Sequence, residues 1–156
     1  MAFNMPLYFA YGSNMDLNQI VERCPSAKFH HPAVARGFRL AFTRFSEKRQ
    51  CGVADLIADA SEEVWGAVFK IAGLDIPRLD RGEGVFLTPP AYRRMPIKVF
   101  PPGGHELRDA FTYEVVAEAA RHLKPNVAYV GLIVGGAVRW GLPEQYIEKL
   151  RKIEVC

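Results

Sequence analysis

The stretch Leu7-Tyr8-Phe9-Ala10-Tyr11-Gly12-Ser13-Asn14-Met15 reads as an apolar strand that breaks at a glycine and runs straight into a helix. Asp16 follows as the expected N-cap, with Gln19 three residues later as its capping-box partner. A strand that ends at a glycine just before a helix leaves several backbone N–H groups without backbone partners in one place. That place lies at the positive end of the helix dipole and favours anions. The same stretch is also compatible with a plain connection that binds nothing.

Working outward, Asp16–Arg23 is a short helix stopped by Cys24-Pro25. Ala33–Phe45 holds strand material at Phe38–Phe42, and Gly52–Ile57 is a further strand. In Val64–Ile71, Trp65, Ala67, Phe69 and Ile71 share one face, the pattern of a half-buried strand. Leu74–Leu79 is a helical turn with Pro77 in its first turn, leading into a tight turn at Gly82-Glu83-Gly84. Tyr92–Phe100 is a strand whose Pro96 marks an edge or a bulge. Pro101-Pro102-Gly103-Gly104 turns it into a partner strand, Glu106–Val116. Asn126 caps a helix over Val127–Trp140 that Gly141 ends, and Pro143 starts a last helix, Pro143–Ile153, with Tyr146, Ile147 and Leu150 as its apolar stripe. About six strands in hairpin-like succession, with few helices, do not make an alternating βαβ chain. The expectation is an α+β fold: a mixed, mainly antiparallel sheet curled into a small barrel, with flanking helices, as a single domain over residues 1–156.

A chain of 156 residues, 49% hydrophobic and 24% charged, has room for one well-filled core and no second large domain. Its net charge of +3 is too small to indicate a nucleic-acid binder, and no nucleic-acid module accompanies it. The basic residues from Arg36 to Arg49, and Lys149, Arg151 and Lys152, read as solvated surface. Cys24, Cys51 and Cys156 are odd in number and widely spaced, which argues against a disulfide framework or a zinc site and for a reducing compartment. The first residues lack the pattern of a signal peptide, and Val127–Trp140 is too short and glycine-rich to span a bilayer. A cytoplasmic location, with no membrane partner, is expected.

Phosphate-cradling glycine motifs and the Gly-x-Ser-x-Gly elbow are missing. His30, His31, His105 and His122 have no partners at metal-ligand spacing, and Ser13 has no evident base. An enzyme built from these residues needs chemistry that runs without metal, nucleotide or catalytic dyad, and no cofactor is expected. An intramolecular reaction qualifies. The protein then has only to fold the substrate and move a proton, and orientation supplies on the order of 7–11 kcal/mol in favourable cases.

Four segments resemble the gamma-glutamylcyclotransferase family and its AIG2-like relatives: Tyr8–Met15, Glu63-Val64-Trp65-Gly66-Ala67-Val68, Leu79-Asp80-Arg81-Gly82-Glu83-Gly84-Val85 and Gly141–Tyr146. They fall in the family's order along nearly the whole chain. The resemblance implies a mixed β-barrel with flanking helices, release of 5-oxoproline from a γ-glutamyl amino acid or γ-glutamyl amine, and a homodimer. It places the catalytic glutamate at Glu83 and the substrate loop at Phe9, Ala10, Tyr11, Gly12, Ser13 and Asn14. A family tyrosine falls on Tyr129, in Pro125-Asn126-Val127-Ala128-Tyr129, where Asn replaces the usual Ser. Tyr113 is a further candidate for the same cavity.

On this reading the substrate's α-amino group attacks its own γ-carbonyl, and Glu83 takes a proton from the ammonium and gives one to the departing amine. Burial beside Val85 and Phe86 would raise the Glu83 pKa, and the bound ammonium would lower it. The turn at Tyr11–Asn14 takes the α-carboxylate or the developing oxyanion. The leaving group's pocket is expected from Phe86–Tyr92 and the Arg93-Arg94 pair. The resemblance also disfavours glutathione as the substrate, since glutathione-specific relatives carry a different residue where Asn14 stands. Two alternatives stay open. One is a non-catalytic small-acid-binding module of the same fold, and the other is a pathway-specific γ-glutamyl or isopeptide cyclotransferase.

Overall fold

The computed structural model describes residues 5–104, 106–116 and 121–156. Of the expected histidines, His105 lies outside this set. The strands are β1 (Leu7–Ala10), β2 (Lys28–Ser46), β3 (Cys51–Lys70), β4 (Tyr92–Val99) and β5 (Arg108–Val115). They form one sheet in the order β2-β3-β1-β5-β4. β1 takes the centre because it is apolar throughout, as a strand covered on both faces must be. Phe9 and Ala10 are fully buried. β1 runs antiparallel to β3 and parallel to β5, and the Thr112 hydroxyl donates to the Phe9 carbonyl at 2.7 Å.

The described residues form five strands rather than six. Gly52–Ile57 and Val64–Ile71 belong to one long strand, β3. Arg36 pairs with Glu63 and Phe38 with Ala58, so residues 59–62 stand out of the ladder opposite Gly37, whose φ is +85°. The polar run Asp59–Glu62 therefore looked like a connection between two strands. The α+β class and the mainly antiparallel sheet are as expected, but the sheet is not closed into a barrel. Among the described residues, backbone hydrogen bonds join its two edges only where Val34 and Phe100 exchange bonds of 2.9 and 3.0 Å. Pro96 and the Pro101-Pro102 pair leave β4 too few N–H donors to extend that contact, which suits an edge strand.

Among the described residues four α-helices flank the sheet: α1 (Leu17–Arg23), α2 (Ile76–Gly82), α3 (Val127–Arg139) and α4 (Glu144–Arg151). Asp16 caps α1, accepting from the Gln19 N–H at 3.0 Å. The Gln19 side chain does not complete a capping box. It donates to Ser13 Oγ at 2.7 Å and Asn14 Oδ1 at 2.8 Å, because those acceptors stand in the turn just ahead of the helix. Pro143 is the cap of α4 rather than its first residue, and Tyr146, Ile147 and Leu150 are buried as expected.

α3 fixes the turn that follows β1. A Cβ at Gly136 would lie 2.4 Å from the Met15 Cβ and 2.7 Å from its backbone, so only glycine lets the helix come this close. Trp140 Nε1 donates to the Met15 carbonyl at 2.7 Å. Met15 and Ile133 are fully buried in this contact region of the core.

Candidate active site

β1 delivers Tyr11, Gly12, Ser13 and Asn14 to the wall of a cavity of about 270 Å³. Ser13–Met15 form a short 3₁₀ turn closed by bonds from Met15 N to Gly12 O and from Asp16 N to Ser13 O. The N–H groups of Gly12, Ser13 and Asn14 have no acceptor among the described residues, as expected at the start of a helical turn.

α2 delivers Glu83. The helix ends there, and Gly84 follows in the left-handed region at φ +72°, turning the chain away and leaving the carboxylate at the cavity. Asn14 holds that carboxylate. Its Nδ2 donates to Glu83 Oε1 at 2.7 Å and to the Tyr8 hydroxyl at 2.9 Å. Its Oδ1 accepts from Gln19 Nε2 and, at 3.1 Å, from Arg23. With donors on one side and acceptors on the other, only one orientation of the Asn14 amide satisfies the network. Arg23 also lies 3.6 Å from Glu83 Oε1.

The Glu83 side chain is 13% exposed. Burial pushes its pKa above the ordinary carboxylate value. Arg23, the Asn14 hydrogen bond and Arg49 pull it down without cancelling the effect, and Asp80 pushes it up. The burial does not come from Phe86, which is 62% exposed. The cavity wall that Glu83 shares is rich in tyrosine. Tyr8, Tyr11, Tyr92, Tyr113 and Tyr129 all line the cavity, and each hydroxyl is held above the usual phenol range, mainly by burial and further by the Glu83 charge. Tyr129 is pushed up to about 12. All five stay neutral at physiological pH.

The hydroxyls differ in which way they point. Tyr113 donates to Asp80 Oδ1 at 2.5 Å, since a carboxylate can only accept, so its oxygen offers lone pairs. Tyr129 accepts from the Ala54 N–H at 2.9 Å and keeps its own proton to donate. Tyr129 is placed by α3, whose cap Asn126 accepts from the Tyr129 N–H at 2.8 Å. Tyr92 donates to the Ala54 carbonyl at 2.6 Å.

Of the residues singled out from the sequence, Tyr11, Gly12, Ser13, Asn14, Glu83, Tyr113 and Tyr129 meet at this cavity. Phe9 and Ala10 do not line it and lie in the core behind it. The Arg93-Arg94 pair does not line it either. Arg93 pairs with Glu114 at 2.6 Å, and Arg94 lies 3.9 Å from Asp80. Leu87, Ala91 and Tyr92 of the expected loop do contribute.

Sequence reasoning missed the cations. Arg44, Lys48 and Arg49, read there as solvated surface, stand with Arg23 in the cavity wall, where, among the described residues, Glu83 is the only carboxylate. Their clustering in the sequence was the available signal. What was missing was that the β2–β3 hairpin folds back over the end of β1. Arg49 donates to Gln19 Oε1 at 2.6 Å and lies 5.1 Å over the Tyr129 ring. The Asn126 side chain donates to the Arg49 carbonyl at 2.9 Å, which ties this hairpin to α3.

A cavity with four cations, one raised carboxylate and neutral hydroxyls suits a small anionic ligand with a proton to move. The AIG2-like family model matches residues 63–150. Mouse gamma-glutamylcyclotransferase is 37% identical over 152 residues, covering 95% of this chain and 78% of that protein. The human gamma-glutamylcyclotransferase is 35% identical over the same shares. A solved gamma-glutamyl cyclotransferase structure superimposes with a TM-score of 0.91 at 32% identity, covering 98% of this chain and 90% of that one. Relatives more than one-third identical across nearly the whole length, together with a family model matching over half of it, place this chain in the gamma-glutamylcyclotransferase family.

Proposed function

We propose that this protein cyclises a γ-glutamyl amino acid or γ-glutamyl amine, releasing 5-oxoproline and the free amine, with Glu83 as the proton carrier. The observation that carries this reading is Glu83 itself. It is a carboxylate raised in pKa by burial, gripped by Asn14, and set in one small cavity with Gly12, Ser13 and Asn14, whose N–H groups have no acceptor among the described residues.

The substrate's ammonium docks against Glu83 and the lone pairs of Tyr113. Glu83 takes a proton, and the amine attacks the γ-carbonyl carbon to form the ring C–N bond. The Tyr129 hydroxyl and the N–H groups of Gly12–Asn14 serve the oxyanion and the α-carboxylate. The intermediate collapses by breaking its bond to the departing nitrogen. Counted over the reaction, two protons leave the attacking nitrogen and two reach the departing one, so Glu83 ends as it began. A base raised in pKa is suited to both halves, because it must accept and release near neutral pH.

The test is release of 5-oxoproline from a panel of γ-glutamyl amino acids and amines by the parent and by Glu83→Gln. Loss of release in the variant, with ligand binding kept, is expected. Release that survives the substitution would remove Glu83 from this role. Binding without any release by the parent would favour a non-catalytic binding module. The three free cysteines support a reducing, cytoplasmic location. A homodimer is expected from the family resemblance, and light scattering tests it.

A further inference from the structure

We propose that Arg44 and Lys48, at the tip of the β2–β3 hairpin, form the subsite for a carboxylate on the leaving group. They would thereby set the selectivity between γ-glutamyl amino acids and γ-glutamyl amines. This rests on the cyclotransferase reading above and adds to it which residues read the departing half of the substrate.

The cavity's four cations are not equivalent. Arg23 is engaged with Glu83 and Asn14, and Arg49 with Gln19 and the Tyr129 ring. Arg44 and Lys48 have neither an ion pair nor a side-chain hydrogen bond among the described residues. The nearby Glu47 carboxylate is instead 3.5 Å from Gln50 Nε2. Arg44 is half-buried. A guanidinium partly removed from water and left without a counter-charge costs stability, and an anion in the cavity would offset that cost.

Local backbone geometry places it there. Phe42 pairs with Ala54 and Arg44 with Val53, leaving Thr43 as the extra residue of a bulge. The extra residue is pinned by a bond from Thr43 Oγ1 to Asp55 Oδ2 at 2.8 Å. Bulges bend a strand and re-aim the side chains beside them. Both Val53 and Ala54 line the cavity, so Arg44 stands over its wall, and the exposed Lys48 marks its mouth. Ring closure occupies Glu83 and the Gly12–Asn14 turn, which leaves the hairpin tip to face the departing half.

The experiment compares kcat/KM for γ-glutamyl-alanine and γ-glutamyl-ethylamide, which differ in the leaving group by one carboxylate. The parent is expected to prefer the carboxylated substrate. In Arg44→Gln the ratio of the two values is expected to fall by about tenfold or more, as for the loss of a charge-assisted hydrogen bond. Arg44→Lys should restore part of it. Lys48→Glu, at an exposed position that tolerates exchange, should lower the ratio as well. An unchanged ratio across all three variants would overturn the proposal. If the parent releases no 5-oxoproline from either compound, the cyclotransferase reading fails, and calorimetric binding of the same pair then decides the subsite. Tighter binding of the carboxylated compound, lost in the variants, would support it, and equal binding would overturn it.

Discussion

Asn14 Nδ2 donates to Glu83 Oε1 at 2.7 Å, joining the turn after β1 to the end of α2. The bond favours the ionised carboxylate and opposes the rise in pKa caused by burial. Removing it in Asn14→Ala is therefore expected to raise the Glu83 pKa further. The reaction starts from ionised Glu83, so the acidic limb of the kcat/KM profile should move to higher pH. A pH profile of the variant checks this. A limb that stays in place would mean that Asn14 does not tune the base.

Glu83→Gln is expected to lose activity and gain stability at neutral pH. The Glu83 pKa is higher in the folded chain than in the unfolded one, so ionising the carboxyl weakens the fold. Its stabilising contribution is complete below the unfolded value and is lost as pH rises through the folded value. The variant's Tm should exceed the parent's at pH 7, and the difference should shrink as the pH is lowered through that range. Thermal melts at several pH values measure it.

Tyr113→Phe removes the donor that satisfies Asp80, whose side chain is 8% exposed and, among the described residues, otherwise has only Arg94 at 3.9 Å. A buried acceptor left without its donor costs about 1–3 kcal/mol. A loss of that size in urea unfolding is expected, with a raised KM because the lone pairs that face the ammonium are gone. Asp80→Asn keeps a partner for Tyr113 but lets it accept as well as donate. It should raise KM with a smaller loss of stability.

Gly136→Ala is expected to destabilise the protein by about 1–3 kcal/mol, the range for overpacking. In a helix interior that change usually stabilises. Here the new methyl would meet the Met15 Cβ at 2.4 Å, so α3 must move off the turn that carries Gly12–Asn14. Urea unfolding reads the loss of stability, and a parallel loss of 5-oxoproline release is expected as the turn shifts.

Local signals in the chain determined a good part of this molecule. The strand ending at Ala10 just before the Gly12 turn, the Asp16 and Asn126 caps, the stop at Gly141 and the stripe Tyr146, Ile147 and Leu150 each depend on residues within one or two turns. Glu83 and Tyr129 were placed by resemblance rather than by spacing, and both line the cavity. The rest depends on contacts across long separations, and only the tertiary structure decided it. Phe9 and Ala10 belong to the core because β1 is flanked on both sides, by β3 and β5. β3 is one strand because β2 pairs with it on both sides of Asp59–Glu62. Arg44, Lys48 and Arg49 looked like solvated charge in the sequence, but the fold of the hairpin against α3 and the end of β1 brings them to the same cavity as Glu83 and the tyrosines. A charge's role depends on its surroundings, and those are assembled from residues far apart in the chain.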